Sequence, residues 1–131
     1  MGKPTTTPAR HQPTAAELDH AAAVLHLLAD RTRLGIVSLL RDASEMSVGE
    51  IAERLDRPLP AVSQHLAKLK SGQLVLARRD GTSIKYRVGG EHVTLLVENL
   101  LQHAEHELFA DPPHHREQPT LGQSEGSEPT R

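Results

Sequence analysis

The chain has 131 residues, enough for one domain with a modest core, and a net charge of −2 with its histidines neutral. It contains no cysteine, which excludes disulfides, thiolate catalysis and cysteine-based metal sites. No apolar run approaches the ~20 residues that a membrane span needs, and the polar first residues do not resemble a signal peptide, so we expect a cytoplasmic protein.

The small net charge hides an uneven distribution. Residues 31–87 contain eleven Lys and Arg against six Asp and Glu, whereas residues 89–131 contain two against eight. A basic middle suits a polyanionic partner, and an acidic end that also contains histidines suits cations. An ordinary surface with unequal charge would give the same counts, so the charge alone does not establish a function.

The first predicted helix follows a polar arm, residues 1–13, that we expect to be disordered. Thr14 and Glu17 form the pattern of a capping box, which predicts a helix start, and Ser47 and Glu50 repeat it. Between the two capping boxes we expect a further helix over about 31–41.

The second half of the chain predicts another helix, a hairpin and a long helix. A helix over 60–71 keeps apolar residues at i, i+4 and i+7 and is expected to end at Gly72. The pair Asp80-Gly81 lies between two alternating stretches of 74–88, a strong signal for a β-hairpin. A last helix is predicted over about 91–109, before a flexible tail of residues 111–131.

A helix, a turn, a second helix and a basic hairpin follow one another in the order of a winged helix-turn-helix. We therefore predict a mainly α fold with a small β-hairpin and a DNA-binding and dimerisation domain over residues 14–110. A small helical bundle with solvated charges is the alternative. Helix 60–71 would enter the major groove of double-stranded DNA, and the hairpin tip would meet phosphates. The candidate DNA contacts are Ser63, Gln64, His65, Lys68, Arg78, Arg79 and Thr82.

Three histidines share one stripe of the last helix. At 100° per residue, His92 and His103 are roughly 20° apart, and His106 lies within about 60° of both. Along the axis, however, His92 is ~16 Å from His103, too far for one ion because metal–nitrogen bonds are about 2 Å long. An antiparallel second copy of the helix would bring His92 of one chain beside the other two histidines of its partner. A metal site here therefore predicts a homodimer.

Four stretches, in order, resemble the ArsR/SmtB family of metal-responsive repressors: LADRTRLGIVSLL, MSVGEIAERL, PAVSQHLAKLKSGQLV and RRDGTSIKYRV. The resemblance covers about residues 18–110. It implies a winged-helix homodimer, joined through its terminal helices, that releases operator DNA when it binds metal. Thiolate-type members carry a Cys-x-Cys-type motif where this chain has Ser47-Val48-Gly49, so the resemblance does not extend to arsenic, cadmium or lead sites.

The last helix and the tail resemble the nickel/cobalt-sensing, NmtR- and KmtR-like branch of that family. Gly90 stands where members with a tetrahedral zinc site have an aspartate, and a larger set of nitrogen and oxygen ligands favours nickel or cobalt, with zinc possible. On an ideal helix Glu105 points more than about 90° away from the histidine stripe, so either the helix unwinds before Asp111 or Glu107 is the oxygen ligand. The ligands implied by the resemblance are His92, His103, Glu105, His106, His114 and His115.

The expected function is a repressor that nickel or cobalt releases from operator DNA. The alternatives are a zinc-responsive repressor of the same fold, a repressor that senses no metal, and a nickel-binding or storage protein without DNA regulation. An enzyme is not expected, because the sequence has no His-Glu-x-x-His motif and no glycine-rich phosphate loop before a helix.

Overall fold

The computed structural model describes residues 12–110. Within them the chain forms five helices and a small three-stranded sheet, which confirms the mainly α fold with a β-hairpin. The predictions for residues 1–11 and 111–131, including His114 and His115, lie outside the described residues. The elements are α1 (Ala15–Leu28), α2 (Arg31–Asp42), β1 (Met46–Ser47), α3 (Val48–Leu55), α4 (Leu59–Ser71), β2 (Val75–Asp80), β3 (Ser83–Val88) and α5 (Glu91–Ala110).

Both predicted capping boxes are confirmed. The Thr14 hydroxyl accepts the backbone N–H of Glu17 at 3.1 Å, and the Glu17 carboxylate accepts the N–H of Thr14 at 2.9 Å. Ser47 and Glu50 form the same pair of bonds at the start of α3. These bonds satisfy N–H groups that the first turn of a helix leaves without a partner, which is why both helices begin where the sequence predicts.

The described residues divide into two units between Gly89 and Gly90. In the first unit, the core is built from aliphatic side chains of helices α2, α3 and α4 and of the segment that enters β2. The predicted apolar stripe of α4 is fully buried, which fixes the opposite face of that helix toward the surface. The core side chains of this unit include Ile36, Val37, Leu40, Ile51, Val62, Leu66, Leu69, Leu74 and Val75.

The sheet has the strand order β1-β3-β2, with antiparallel pairing throughout. Asp80 pairs with Ser83, so the two-residue loop of the hairpin is Gly81-Thr82. The φ angle is positive at Gly81 and not at Thr82, which is the pattern of a type II′ turn. The sequence predicted the hairpin but not β1, because two residues are too few to show an alternating pattern.

Helix α4 ends at Gly72, as predicted, but the left-handed residue is the next one, Gln73, with φ 61°. Gly72 matters for its size instead: a Cβ built there would overlap the Cδ1 atom of Leu27 at the end of α1. The missing side chain therefore allows the last turn of α1 to approach the end of α4 closely.

The second unit contains α5, which is one continuous helix from Glu91 to Ala110. Several of its leucines are exposed, among them Leu96 at 38% and Leu100 at 40%. Among residues 12–110, none of the helices is long and apolar enough to cross a membrane.

Candidate nucleic-acid interface and metal ligands

Helix α4 presents a row of polar side chains opposite its buried stripe. Ser63, Gln64 and Lys68 are exposed, while Val62 and Leu66 of the apolar stripe are buried. Gln64 can donate to and accept from an adenine edge, whereas serine and lysine can reach bases or phosphates. Pro60 lies in the first turn, where a missing N–H has no helical partner to lose. The helix therefore offers an exposed N-terminal half of the kind that enters a major groove.

His65, the fourth predicted contact on α4, is only 25% exposed at its side chain and has partners within the protein. Its Nδ1 atom lies 3.2 Å from Nη1 of Arg33 and 3.8 Å from Oδ2 of Asp30. Asp30 is the N-cap of α2 and accepts the backbone N–H of Arg33 at 2.9 Å. That bond is the main cause that lowers the pKa of Asp30, with the charge of Arg33 adding to it.

Two basic residues in the middle of the hairpin are each paired with a carboxylate. Arg78 and Lys85 lie directly opposite each other across β2 and β3, an arrangement of like charges that is unfavourable alone. Arg78 donates two bonds to Glu45, Nε to Oε2 at 3.0 Å and Nη2 to Oε1 at 2.6 Å. Glu50 lies 3.7 Å from the Lys85 ammonium group. The two carboxylates therefore offset the repulsion that the strand register creates.

The bidentate bond between Glu45 and Arg78 has an electrostatic signature on both groups. The hydrogen bond from Arg78 lowers the pKa of Glu45, and the same bond raises the pKa of Arg78. By contrast, Arg79 and Thr82 are exposed near the hairpin tip, and no ion pair of Arg79 is formed within residues 12–110. Arg87 of β3 is also exposed and forms no ion pair among those residues, so Arg79 and Arg87 are the arginines of the hairpin whose charges are open to an external anion, and Arg79 is the one nearer the tip.

The histidines of α5 are exposed, and so is Glu105. Among residues 12–110, no three His, Cys, Asp or Glu side chains lie close enough to hold a metal ion. This agrees with the axial separation of His92 from His103, since both now lie on one uninterrupted helix. The donor set, imidazoles with a neighbouring carboxylate, suits a divalent transition metal, but those of its members that the structure describes do not meet within one chain.

The same helix bears on the choice of oxygen ligand. Because α5 stays helical to Ala110, it does not unwind around Glu105. Glu107 lies roughly 40° from His103 and about 60° from His92 around the helix axis. Glu107 is therefore nearer than Glu105 to His92 and His103 around the helix, while both carboxylates lie about 100° from His106.

Sequence reasoning did not single out Asp30, Arg33 or Glu45. A local signal exists for Asp30, because an aspartate just before an apolar-periodic segment is a typical N-cap. Arg33 and His65 are 32 residues apart and Glu45 and Arg78 are 33 apart, so no local pattern could have revealed their contacts.

Helices α3 and α4, followed by the hairpin, define the class of the protein: it is a winged helix-turn-helix protein. The helix-turn-helix domain family matches residues 28–78. A solution structure of a homodimeric winged helix-turn-helix DNA-binding domain from Mycobacterium bovis, a possible ArsR-family regulator, is 38% identical to this chain. It superposes with a TM-score of 0.70, and the match covers 82% of this chain and 98% of that one.

Two regulators of Mycobacterium tuberculosis are similar to this chain in sequence. KmtR is 50% identical over 93 residues, 71% of this chain and 71% of its own length. NmtR is 35% identical over 101 residues, 74% of this chain and 83% of its own. The chain belongs to the ArsR/SmtB family of metal-responsive transcriptional regulators and is a regulator rather than an enzyme.

Proposed function

We propose that the chain is a homodimeric repressor that binds operator DNA without metal and is released by nickel or cobalt bound between the α5 helices of two protomers. The observation that carries the proposal is the stripe of exposed imidazoles on α5, which forms no metal site among residues 12–110 of one chain. Membership of a metal-responsive family supports the same conclusion.

The DNA-binding part of the proposal rests on the surface of α4 and the hairpin. Gln64 and Ser63 read base edges, and Lys68 and Arg79 bind phosphates on either side. Thr82 adds a hydroxyl near the hairpin tip. Arg78 remains a candidate, although Glu45 already occupies part of its donor fork.

The dimer is supported by apolar side chains that one chain leaves exposed on its terminal helices. Leu18 and Leu25 of α1 are each 56% exposed, and Leu96 and Leu100 of α5 are about 40% exposed. Exposed leucines at helical spacing are the material of a helix–helix interface. The M. bovis relative is itself described as homodimeric.

The ligand set draws on both protomers. His92 of one protomer joins His103 and His106 of its partner, with Glu107 favoured over Glu105 because it is nearer to His92 and His103 around the helix. His114 and His115 complete the set from the tail. More than four nitrogen and oxygen ligands favour nickel or cobalt over zinc. When bound, the metal would tie the two α5 helices together, and DNA must weaken metal binding by the factor by which metal weakens DNA binding.

Fluorescence anisotropy of the full chain on a duplex selected by the protein from a random pool tests this function. We expect nickel and cobalt to weaken binding by roughly 5–150-fold, the usual range of allosteric coupling. His92→Ala should abolish this response, while His20→Ala, which removes an exposed histidine of α1, should keep it.

Each other result selects an alternative. Release by zinc, retained after removal of residues 111–131, selects the zinc-responsive repressor. DNA binding indifferent to all three metals selects a repressor that senses no metal. Tight nickel binding with no selected DNA sequence selects the storage protein.

A further inference from the structure

Three helices meet at one side chain, that of Arg33 in the first turn of α2. Its Nε donates to the backbone carbonyl of Leu27 at 2.5 Å, and its Nη1 lies 3.2 Å from Nδ1 of His65. Leu27 belongs to the last turn of α1, and His65 lies in the middle of α4. Arg33 therefore joins the end of α1 to the helix that carries the candidate base contacts.

The chemistry of the groups fixes the direction of both hydrogen bonds. A guanidinium only donates, so the Nδ1 atom of His65 must accept and its ring proton must be on Nε2. The Leu27 carbonyl lies in the last turn of α1, where helix carbonyls have no N–H partner within the helix. Arg33 thus satisfies an acceptor on each side of the junction, and Asp30 lies beside it as the cap of α2.

A second contact holds the same two helices together. The side chain of Leu27 fills the space above Gly72, where a Cβ would overlap it. Positions 65 and 72 are seven residues apart and so lie on nearly the same side of α4, about 20° from each other. The last turn of α1 therefore meets α4 at one polar point and one apolar point along a single face.

We propose that Arg33 is a positioning residue for DNA binding, acting through His65 to fix α4 against the end of α1. This inference rests on the proposed role of α4 as the helix that reads DNA. Base-edge hydrogen bonds need donor–acceptor distances of about 2.7–3.2 Å, so a small shift of α4 breaks them. Attraction to phosphates tolerates such a shift. Loss of the Arg33–His65 bond should therefore lower sequence-specific affinity and leave non-specific affinity unchanged.

Substitutions at His65 separate positioning from direct contact. In His65→Asn the side-chain oxygen takes the place of Nδ1 and can accept from Arg33. In His65→Gln the polar end lies near the place of Nε2, the atom that a direct DNA contact would use. His65→Ala removes both, and its melting temperature shows whether the variant remains folded.

Anisotropy on the selected duplex and on a scrambled one measures the outcome. We expect His65→Ala and Arg33→Ala to lose about tenfold in specific affinity, in line with one charge-assisted hydrogen bond. Both should keep wild-type affinity and salt dependence on the scrambled duplex. The specific affinity of His65→Asn should stay within about threefold of wild type. The double variant Arg33→Ala/His65→Ala should lose no more affinity than the single variant with the larger loss, because both substitutions break the same bond.

Two results would overturn the positioning role. The first is specific affinity that His65→Gln restores and His65→Asn does not, which would make His65 a direct DNA contact. The second is full specific affinity in a folded Arg33→Ala variant. Gln64→Ala keeps this failure separate from failure of the proposed function. If Gln64→Ala loses specific affinity while His65→Ala retains it, the positioning role alone fails. If the wild type selects no DNA sequence, or if Gln64→Ala keeps the specific affinity of the wild type, α4 does not read DNA and both proposals fail.

Discussion

Helices α4 and α5 carry the two sets of candidate functional residues, and they differ in how much of each set one chain completes. In α4 the apolar stripe is buried and the helix is tied to its neighbours, notably through His65. In α5 the histidines and the leucines Leu96 and Leu100 are exposed, and no described trio of ligands comes together. One chain therefore suffices to order the surface proposed to read DNA, whereas the proposed metal site depends on association.

The largest expected effect contrasts a leucine from each of the two helices. Leu66→Ala removes a fully buried side chain of α4 and should lower the free energy of unfolding by about 2–5 kcal/mol. Leu100→Ala removes a side chain of α5 that one chain leaves 40% exposed, so its effect should come through the dimer. Urea denaturation at protein concentrations that differ by about a hundredfold measures both.

The concentration dependence is the decisive reading. The loss caused by Leu66→Ala should be the same at every protein concentration, because it arises inside one chain. The loss caused by Leu100→Ala should have its full size well above the dimer dissociation constant and should shrink on dilution below it, because both proteins are then monomeric. If the loss of unfolding free energy caused by Leu100→Ala does not depend on protein concentration, the proposed dimer face is contradicted.

Much of the fold could be predicted because its signals are local. Each capping box, Thr14 with Glu17 and Ser47 with Glu50, joins residues three positions apart in the sequence. The hairpin is indicated by two adjacent residues, Asp80 and Gly81. The stripe on α5 could also be predicted, since one continuous helix turns residue numbers into angles.

The rest depended on tertiary contacts that no local pattern encodes. The prediction that groups His65 with Gln64 and Lys68 overlooks that His65 lies only about 40–60° from the buried Leu69 and Val62 around the helix. Its partner Arg33 comes from another helix, and no local pattern shows that contact. Likewise, the sequence gives no sign that Arg78 is paired, and only the fold shows that it donates to Glu45. The geometry of the proposed metal site is not predictable from the sequence, because the proposal places its ligands on two protomers.

A pair of glycines in the unit that contains α4 sharpens the comparison. Gly89 donates its N–H to the Leu74 carbonyl at 2.9 Å, and a Cβ there would overlap the Gln73 carbonyl oxygen. Backbone cannot move aside as a flexible side chain can, so Gly89→Ala should destabilise the protein by about 1–3 kcal/mol. Gly49→Ala is the control, because the nearest atom to its Cβ is the Ser47 hydroxyl at 3.9 Å.

Thermal unfolding should move in opposite directions for the two variants. Gly49 lies in α3, where alanine is favoured over glycine by about 0.5–1 kcal/mol, so Gly49→Ala should raise the melting temperature. A Gly89→Ala variant as stable as the wild type would mean that the segment after β3, which contains Gly89, can shift away from Gln73.

The smallest effect concerns the hairpin, where Glu45 holds Arg78. In Glu45→Gln the carboxylate charge is removed, so Arg78 becomes available to phosphates and non-specific DNA binding should strengthen. The plot of log affinity against log salt should then steepen by up to about 0.9, the contribution of one phosphate contact. Glu53→Gln removes the same charge from an exposed site on α3 and is the matched control.

The pH dependence of stability gives an independent measurement of the same contact. The bond from Arg78 holds the folded-state pKa of Glu45 below its ordinary value of 4.5. A depressed pKa of this kind stabilises the fold above pH 4.5 and loses that contribution as the pH falls through the lower folded-state value. Wild type and Glu45→Gln should therefore differ in melting temperature near neutral pH and converge in acid. A difference that persists below the folded-state pKa would show that Glu45 acts through packing, and the salt dependence of DNA binding should then stay at its wild-type slope.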